Sequence, residues 1–110
     1  MMQLTAHDFE IEVVSQESKR LTYRVTGQVT CPTPGFTFVV SGDNEGINPT
    51  DEYAVLKIEA ASPTHPQAEV ITEVPVRSED FSDSAQLKHV DLRLYGDIGS
   101  AEGDVLHLTL

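Results

Sequence analysis

Residues 21–40 read Leu21-Thr22-Tyr23-Arg24-Val25-Thr26-Gly27-Gln28-Val29-Thr30-Cys31-Pro32-Thr33-Pro34-Gly35-Phe36-Thr37-Phe38-Val39-Val40. Before the prolines, the apolar side chains Leu21, Tyr23, Val25, Val29 and Cys31 fall on alternate positions. After them, Phe36, Phe38 and Val40 do the same. A period of two puts every second side chain on one face, which is the signature of a half-buried strand. Between the two runs, Thr33-Pro34-Gly35-Phe36 suits a type II turn, because proline presets φ at its second position and glycine accepts a positive φ at its third. Two strands joined by a tight reversal make this a β protein.

Working outward, Phe9 to Ser15 alternates apolar and acidic residues and predicts a first strand with Phe9, Ile11 and Val13 inward. Residues 1–8 read as a polar lead-in to a single domain spanning 9–110. Gln16 to Lys19 is a turn, and the second strand runs from about Arg20 to Cys31. Gly27 interrupts its apolar face, as glycine does at a bulge or bend. The third strand covers about Gly35 to Ser41, and Gly42 to Asp51 is the longest polar segment. Residues 49–60 fit two structures. Asn48 and Pro49 would cap and start a helix, whereas strand alternation buries Ala54, Leu56, Ile58 and Ala60 and matches the neighbouring strands. Further strands are expected at Ala68–Arg77, with Pro75 marking an edge, at Leu87–Tyr95 and at Val105–Leu110. Ser78–Gln86 is polar, with room for one helical turn.

Seven strands at steady spacing, with turn residues between them, predict an all-β fold: an immunoglobulin-like antiparallel β-sandwich, with a small closed barrel as the alternative. Twelve Val, five Ile and ten Thr supply the β-branched side chains that favour strands. The chain carries 18 acidic and 7 basic residues, a net charge of −11. Such a surface repels phosphate backbones and anionic lipid, so neither nucleic acid nor a membrane is expected as a partner. No apolar run has membrane-spanning length, the N-terminus lacks the pattern of a signal peptide, and the single cysteine leans only weakly towards the cytoplasm.

Chemistry-bearing patterns are sparse. If loops alternate between the ends of a sandwich, one end gathers Glu17, Asp43, Glu45, Asp51, Glu52, Glu79, Asp80 and Asp83. Converging carboxylates there suit Ca²⁺, but no EF-hand spacing is present. The histidines at 7, 65, 89 and 107 form no His-x-His pair. A hairpin centred near residue 100 would set His107 opposite Arg93. No nucleophile elbow or phosphate-cradling loop occurs, and Cys31 reads as a buried structural thiol. No cofactor and no enzymatic activity are expected.

The opposite end gathers Cys31–Gly35, Ser62–Gln67 and Asp97–Gly103. Its prolines stiffen two loops and lower the ordering cost of binding. The candidate protein contacts are Pro32, Thr33, Pro34, Gly35, Phe36, Pro63, His65 and Ile98. Pro32-Thr33-x-Gly35 resembles the Asn-Pro-Thr-Thr-Gly loop of chagasin-type cysteine-protease inhibitors, immunoglobulin-like domains that block papain-like enzymes with three loops. Here Cys31 replaces the asparagine and Pro34 the second threonine. Ser62–Gln67 lacks that family's glycines, and Tyr95-Gly96-Asp97 stands where its Arg-Pro-Trp would be. The expectation is a non-enzymatic binding or accessory domain with a protein partner, as a monomer or an edge-strand homodimer. Protease inhibition and Ca²⁺-dependent adhesion are the alternatives.

Overall fold

The structure, a computed structural model, describes residues 4–43, 52–65, 68–100 and 105–110. Nine strands are seen among them: β1 (Leu4–Gln16), β2 (Arg20–Cys31), β3 (Thr37–Gly42), β4 (Tyr53–Ala61), β5 (Thr72–Arg77), β6 (Phe81–Ser84), β7 (His89–Tyr95), β8 (Ile98–Gly99) and β9 (Val105–Thr109). They form two mixed sheets packed together. One has the order β5-β2-β1-β8, with β6 also against β2; the other is β3-β4-β7-β9. The inward alternation of β2, β4 and β7 makes the shared core, with Val25, Val29, Ile58, Val90 and Leu92 fully buried. The expected turn carries its left-handed glycine, Gly35, at φ 97°. Of the two structures open for 49–60, the strand forms from Tyr53 on, while Asn48 and Pro49 lie outside the described residues.

The sheets are not antiparallel throughout, as the sequence led us to expect. β4 and β7 run parallel, with Leu56 opposite Leu92, and β1 and β8 run parallel at Leu4 and Ile98. The β4–β7 pairing arises because the chain leaves β4 for the other sheet and returns in the original direction. Parallel neighbours need such a crossover, and here β5 and β6 provide it. These two lie end to end along β2, β5 against Thr26–Cys31 and β6 against Arg20–Tyr23. Ser78 fills the gap between them. Its N–H donates to the Val25 carbonyl at 2.9 Å, and its Oγ accepts from the Val25 N–H at 2.8 Å. The polar segment 78–86 therefore holds a short strand and a turn rather than a helical turn, and Phe81 lies against Tyr23 with ring centroids 5.9 Å apart.

Boundaries and one register also differ. β1 begins at Leu4, inside the expected lead-in, and Leu4 and Ala6 are buried. Its inward positions switch from even to odd because two residues, Asp8 and Phe9, are interposed between the pairs His7–Gln28 and Glu10–Thr26. Asp8 takes a φ of 57° there. Phe9 and Ile11 consequently pack on the core as expected, whereas Val13 stands exposed beside a second irregularity at Val13–Ser15. The fifth expected strand starts at Thr72, not Ala68, because its partner β2 ends at Cys31 and Pro32 has no N–H to extend the ladder. Local bonds close residues 68–72 instead: the Val70 N–H donates to the Ala68 carbonyl and the Thr72 hydroxyl to the Val70 carbonyl. Finally, β7 and β9 pair two residues out of the expected register, with His107 opposite Asp91. The cause is β8, which draws Ile98 and Gly99 of the connection onto β1.

The β1 bulge lays Phe9 over Gly27. A Cβ at position 27 would meet the Phe9 ring at 2.4 Å, closer than atoms approach. Gly27→Ala is therefore expected to destabilise the fold by about 1–3 kcal/mol, the usual cost of overpacking. A lowered melting temperature in calorimetry checks this, and an unchanged one would place the ring elsewhere.

Candidate functional site

Only parts of the loops expected at the turn-rich end are seen to meet; Pro66, Gln67 and residues 101–103 lie outside the described residues. Phe36, Ala60, Ser62, Gly96 and Asp97 meet around a cavity of about 200 Å³, floored by Leu4, and the Leu4 N–H donates to the Asp97 carbonyl at 2.8 Å. Three of the eight candidate contacts are framework rather than surface. Thr33, Phe36 and Ile98 retain 7%, 7% and 3% of their exposure. Pro32, Pro34 and Pro63 are half-buried, and Gly35 and His65 are exposed. The end is thus real as a cluster of loops, but its apolar groups serve the core. Beneath it Cys31 is buried as expected; its thiol donates to the Val29 carbonyl, and burial pushes its pKa up.

At the acidic end three of the carboxylates, Asp80, Glu52 and Asp43, lie beside bases. Asp80 holds Arg24 Nε at 3.2 Å, and Glu52 holds Lys88 Nζ at 3.2 Å. Asp43 is buried, accepts from the Tyr95 hydroxyl at 2.7 Å and lies 3.6 Å from Arg93. Glu45 and Asp51 lie outside the described residues. Among the described residues, no group of three or more His, Cys, Asp and Glu side chains is arranged to hold a metal ion.

Sequence alternation left the outer face of the β3-β4-β7-β9 sheet as a solvated surface, yet it carries an ordered polar layer. Val55 points to this face, away from the shared core, and is 1% exposed. Around it, the Tyr53 hydroxyl donates to Asp91 Oδ2, and the His107 Nδ1–H donates to Asp91 Oδ1 at 2.7 Å. The bond to Asp91, with burial, pushes the Tyr53 phenol above its usual pKa. The signal for this layer was the outward set Tyr53, Asp91, Arg93 and His107, but linking it required the β4–β7 adjacency and the β7–β9 register.

The strand edges differ in a way that matters for recognition. Unpaired edges invite association, and soluble proteins blunt them with charge, proline or bulges. β5 carries Glu73, Pro75 and Arg77, β1 carries Glu10, Glu12 and two irregularities, and β9 carries His107. β8 has two buried residues. β3, Thr37-Phe38-Val39-Val40-Ser41-Gly42, has none of these devices; its ladder with β4 is regular, and Val39 is 62% exposed. Beside it, Phe38, Val40, Arg77 and Glu79 line an opening of about 360 Å³ towards the β5–β6 line. Compared with protein-family models, with curated proteins and with solved structures, the chain matches none, so its own residues carry the functional reading.

Proposed function

We propose that this chain is a non-enzymatic binding or accessory domain that engages a protein partner by strand addition along the free edge of β3. The observation that carries the reading is the uncharged, regular edge Thr37–Gly42, whose one strand partner among the described residues is β4. Backbone hydrogen bonds supply affinity in such pairing, and side chains at alternate positions supply selectivity. A net charge of −11 favours a partner segment carrying Lys or Arg over an acidic one. We also relate the architecture to immunoglobulin-like sandwiches. The support is that successive pairs, β1–β2, β3–β4, β5–β6 and β7–β9, alternate between the two sheets, although β4 stands between β3 and β7.

Val39→Lys is the test, since this exposed position tolerates lysine within about 0.5 kcal/mol. A partner captured from native lysate by the wild-type chain is expected to be lost by this variant and retained by His65→Ala. The reverse pattern would move the contact to the loop end. Light scattering on the same pair of variants shows whether the edge accepts a second copy of the chain. The convergence of residues 36, 60, 62, 96 and 97 favours one further reading, protease inhibition through that end; a papain assay without inhibition removes it.

A further inference from the structure

On the side away from β3, the edges of β1 and β9 face each other across a cavity of about 300 Å³, the lower end of the size range of small-molecule sites. Its apolar lining is Ala6, Phe9, Leu106 and Leu108, and the polar groups His7, Asp8, Ser100 and His107 complete it. Phe9 is placed there by the bulge whose other residue, Asp8, holds a φ of 57°, a conformation that few residues other than glycine, asparagine and aspartate adopt readily.

Of these polar groups, Asp8 and His107 offer hydrogen-bond acceptors. The Asp8 carboxylate can only accept; its Oδ2 takes the His7 Nδ1–H at 2.8 Å, and the side chain is exposed. His107 is oriented by Asp91, which as a carboxylate requires the ring hydrogen on Nδ1. In the neutral ring this leaves Nε2 as a lone-pair acceptor. Among the described residues, no lysine or arginine lines the cavity, and the chain's net charge is −11. Two acceptors above an apolar wall, in a negative field, complement a donor-bearing cation with an apolar body.

We propose that this cavity binds a small organic ammonium ion carrying an aromatic or branched aliphatic group. The apolar body would lie on Phe9, Leu106 and Leu108, and the ammonium would donate to Asp8 and to His107 Nε2. The site is independent of the β3 edge, so either proposal stands if the other fails. It is tested by amide-resolved NMR titration of the full chain at about pH 8, with 2-phenylethylamine as the probe. The expected result is saturable shifts at residues 6–9 and 105–108. Binding should be about tenfold tighter than for the isosteric alcohol 2-phenylethanol, the worth of one charge-assisted hydrogen bond, and 3-phenylpropionate should bind not at all. Asp8→Asn preserves the bulge, because asparagine also tolerates a positive φ, and should reduce amine binding to the level of the alcohol. His107→Ala, at an exposed side chain, should weaken it without unfolding. Equal affinity for amine and alcohol, no saturable shift, or unchanged binding in both variants would overturn the proposal.

Discussion

Ile58→Ala is expected to remove about 2–5 kcal/mol from the unfolding free energy, the cost of lost apolar transfer plus the cavity left behind. Ile58 has no exposed surface and lies at the middle of β4, opposite Val40 of β3 and Leu94 of β7. Three strands therefore lose packing at one point. A domain of this size is stable by only about 5–15 kcal/mol, so the loss is a large share of the whole. In urea the midpoint should fall while the slope, which follows the surface exposed on unfolding, stays constant. Val39→Ala on the adjacent strand serves as the control, because its side chain is exposed and should cost no more than about 0.5 kcal/mol. If the two variants had equal midpoints, the sheets would not pack through Ile58.

Alkaline pH should weaken the fold through Tyr23. The side chain is 1% exposed, and burial, reinforced by the charge of Asp83, pushes its phenol from 10.0 up to about 12. The folded chain thus holds this proton more tightly than the unfolded chain does. The associated stability is complete below about pH 10 and is lost as the pH rises through about 12. A gap of about two units corresponds to about 2–3 kcal/mol. Tyr23→Phe keeps the ring against Phe81 and abolishes this component, so its stability should fall less between about pH 9 and 12. Tyr53 and Cys31, whose pKa values are also raised, leave a residual slope of the same sign in both proteins. Parallel curves for the wild-type chain and the Tyr23→Phe variant, measured by urea unfolding, would show that the buried phenol does not couple folding to pH.

The contrast between these variants and the loop end bears on how contact surfaces are read from sequence. Phe36 and Ile98 were attractive as contacts because apolar residues beside turns are often exposed anchors. Both are buried, since the loop ends fold over Leu4 and draw their apolar groups into the core. The β3 edge is not marked in the sequence, because Phe38-Val39-Val40 reads like any strand interior. What distinguishes it is its neighbour list, and a neighbour list is a property of the assembled sheets.

Strand positions and inward faces were legible because they depend on a local cause. Alternation along β2, β4 and β7 follows from the pleat, and the Gly35 turn follows from what proline and glycine permit at φ. Legibility failed where a segment's structure was set by a partner distant in the chain. Phe81-Ser82-Asp83-Ser84 has almost no apolar pattern and becomes β6 because the first third of β2 offers unpaired backbone groups. Leu4 to Asp8 becomes strand because β2 continues opposite it, and Asp8 and Phe9 bulge because Gly27 leaves room for a ring.

By itself, then, the sequence determined an all-β chain, most of its strands, the inward residues of its central strands, its acidic surface and its buried thiol, all consequences of local stereochemistry and composition. Tertiary structure alone decided which strands are neighbours. It set β4 parallel to β7, drew Ile98 and Gly99 onto β1 so that His107 reached Asp91, and left β3 with one strand partner among the described residues. The physical reason is that backbone hydrogen bonding is the same for every strand. Adjacency is chosen by how two whole sheets bury their faces against each other, and no single stretch of the chain encodes that choice.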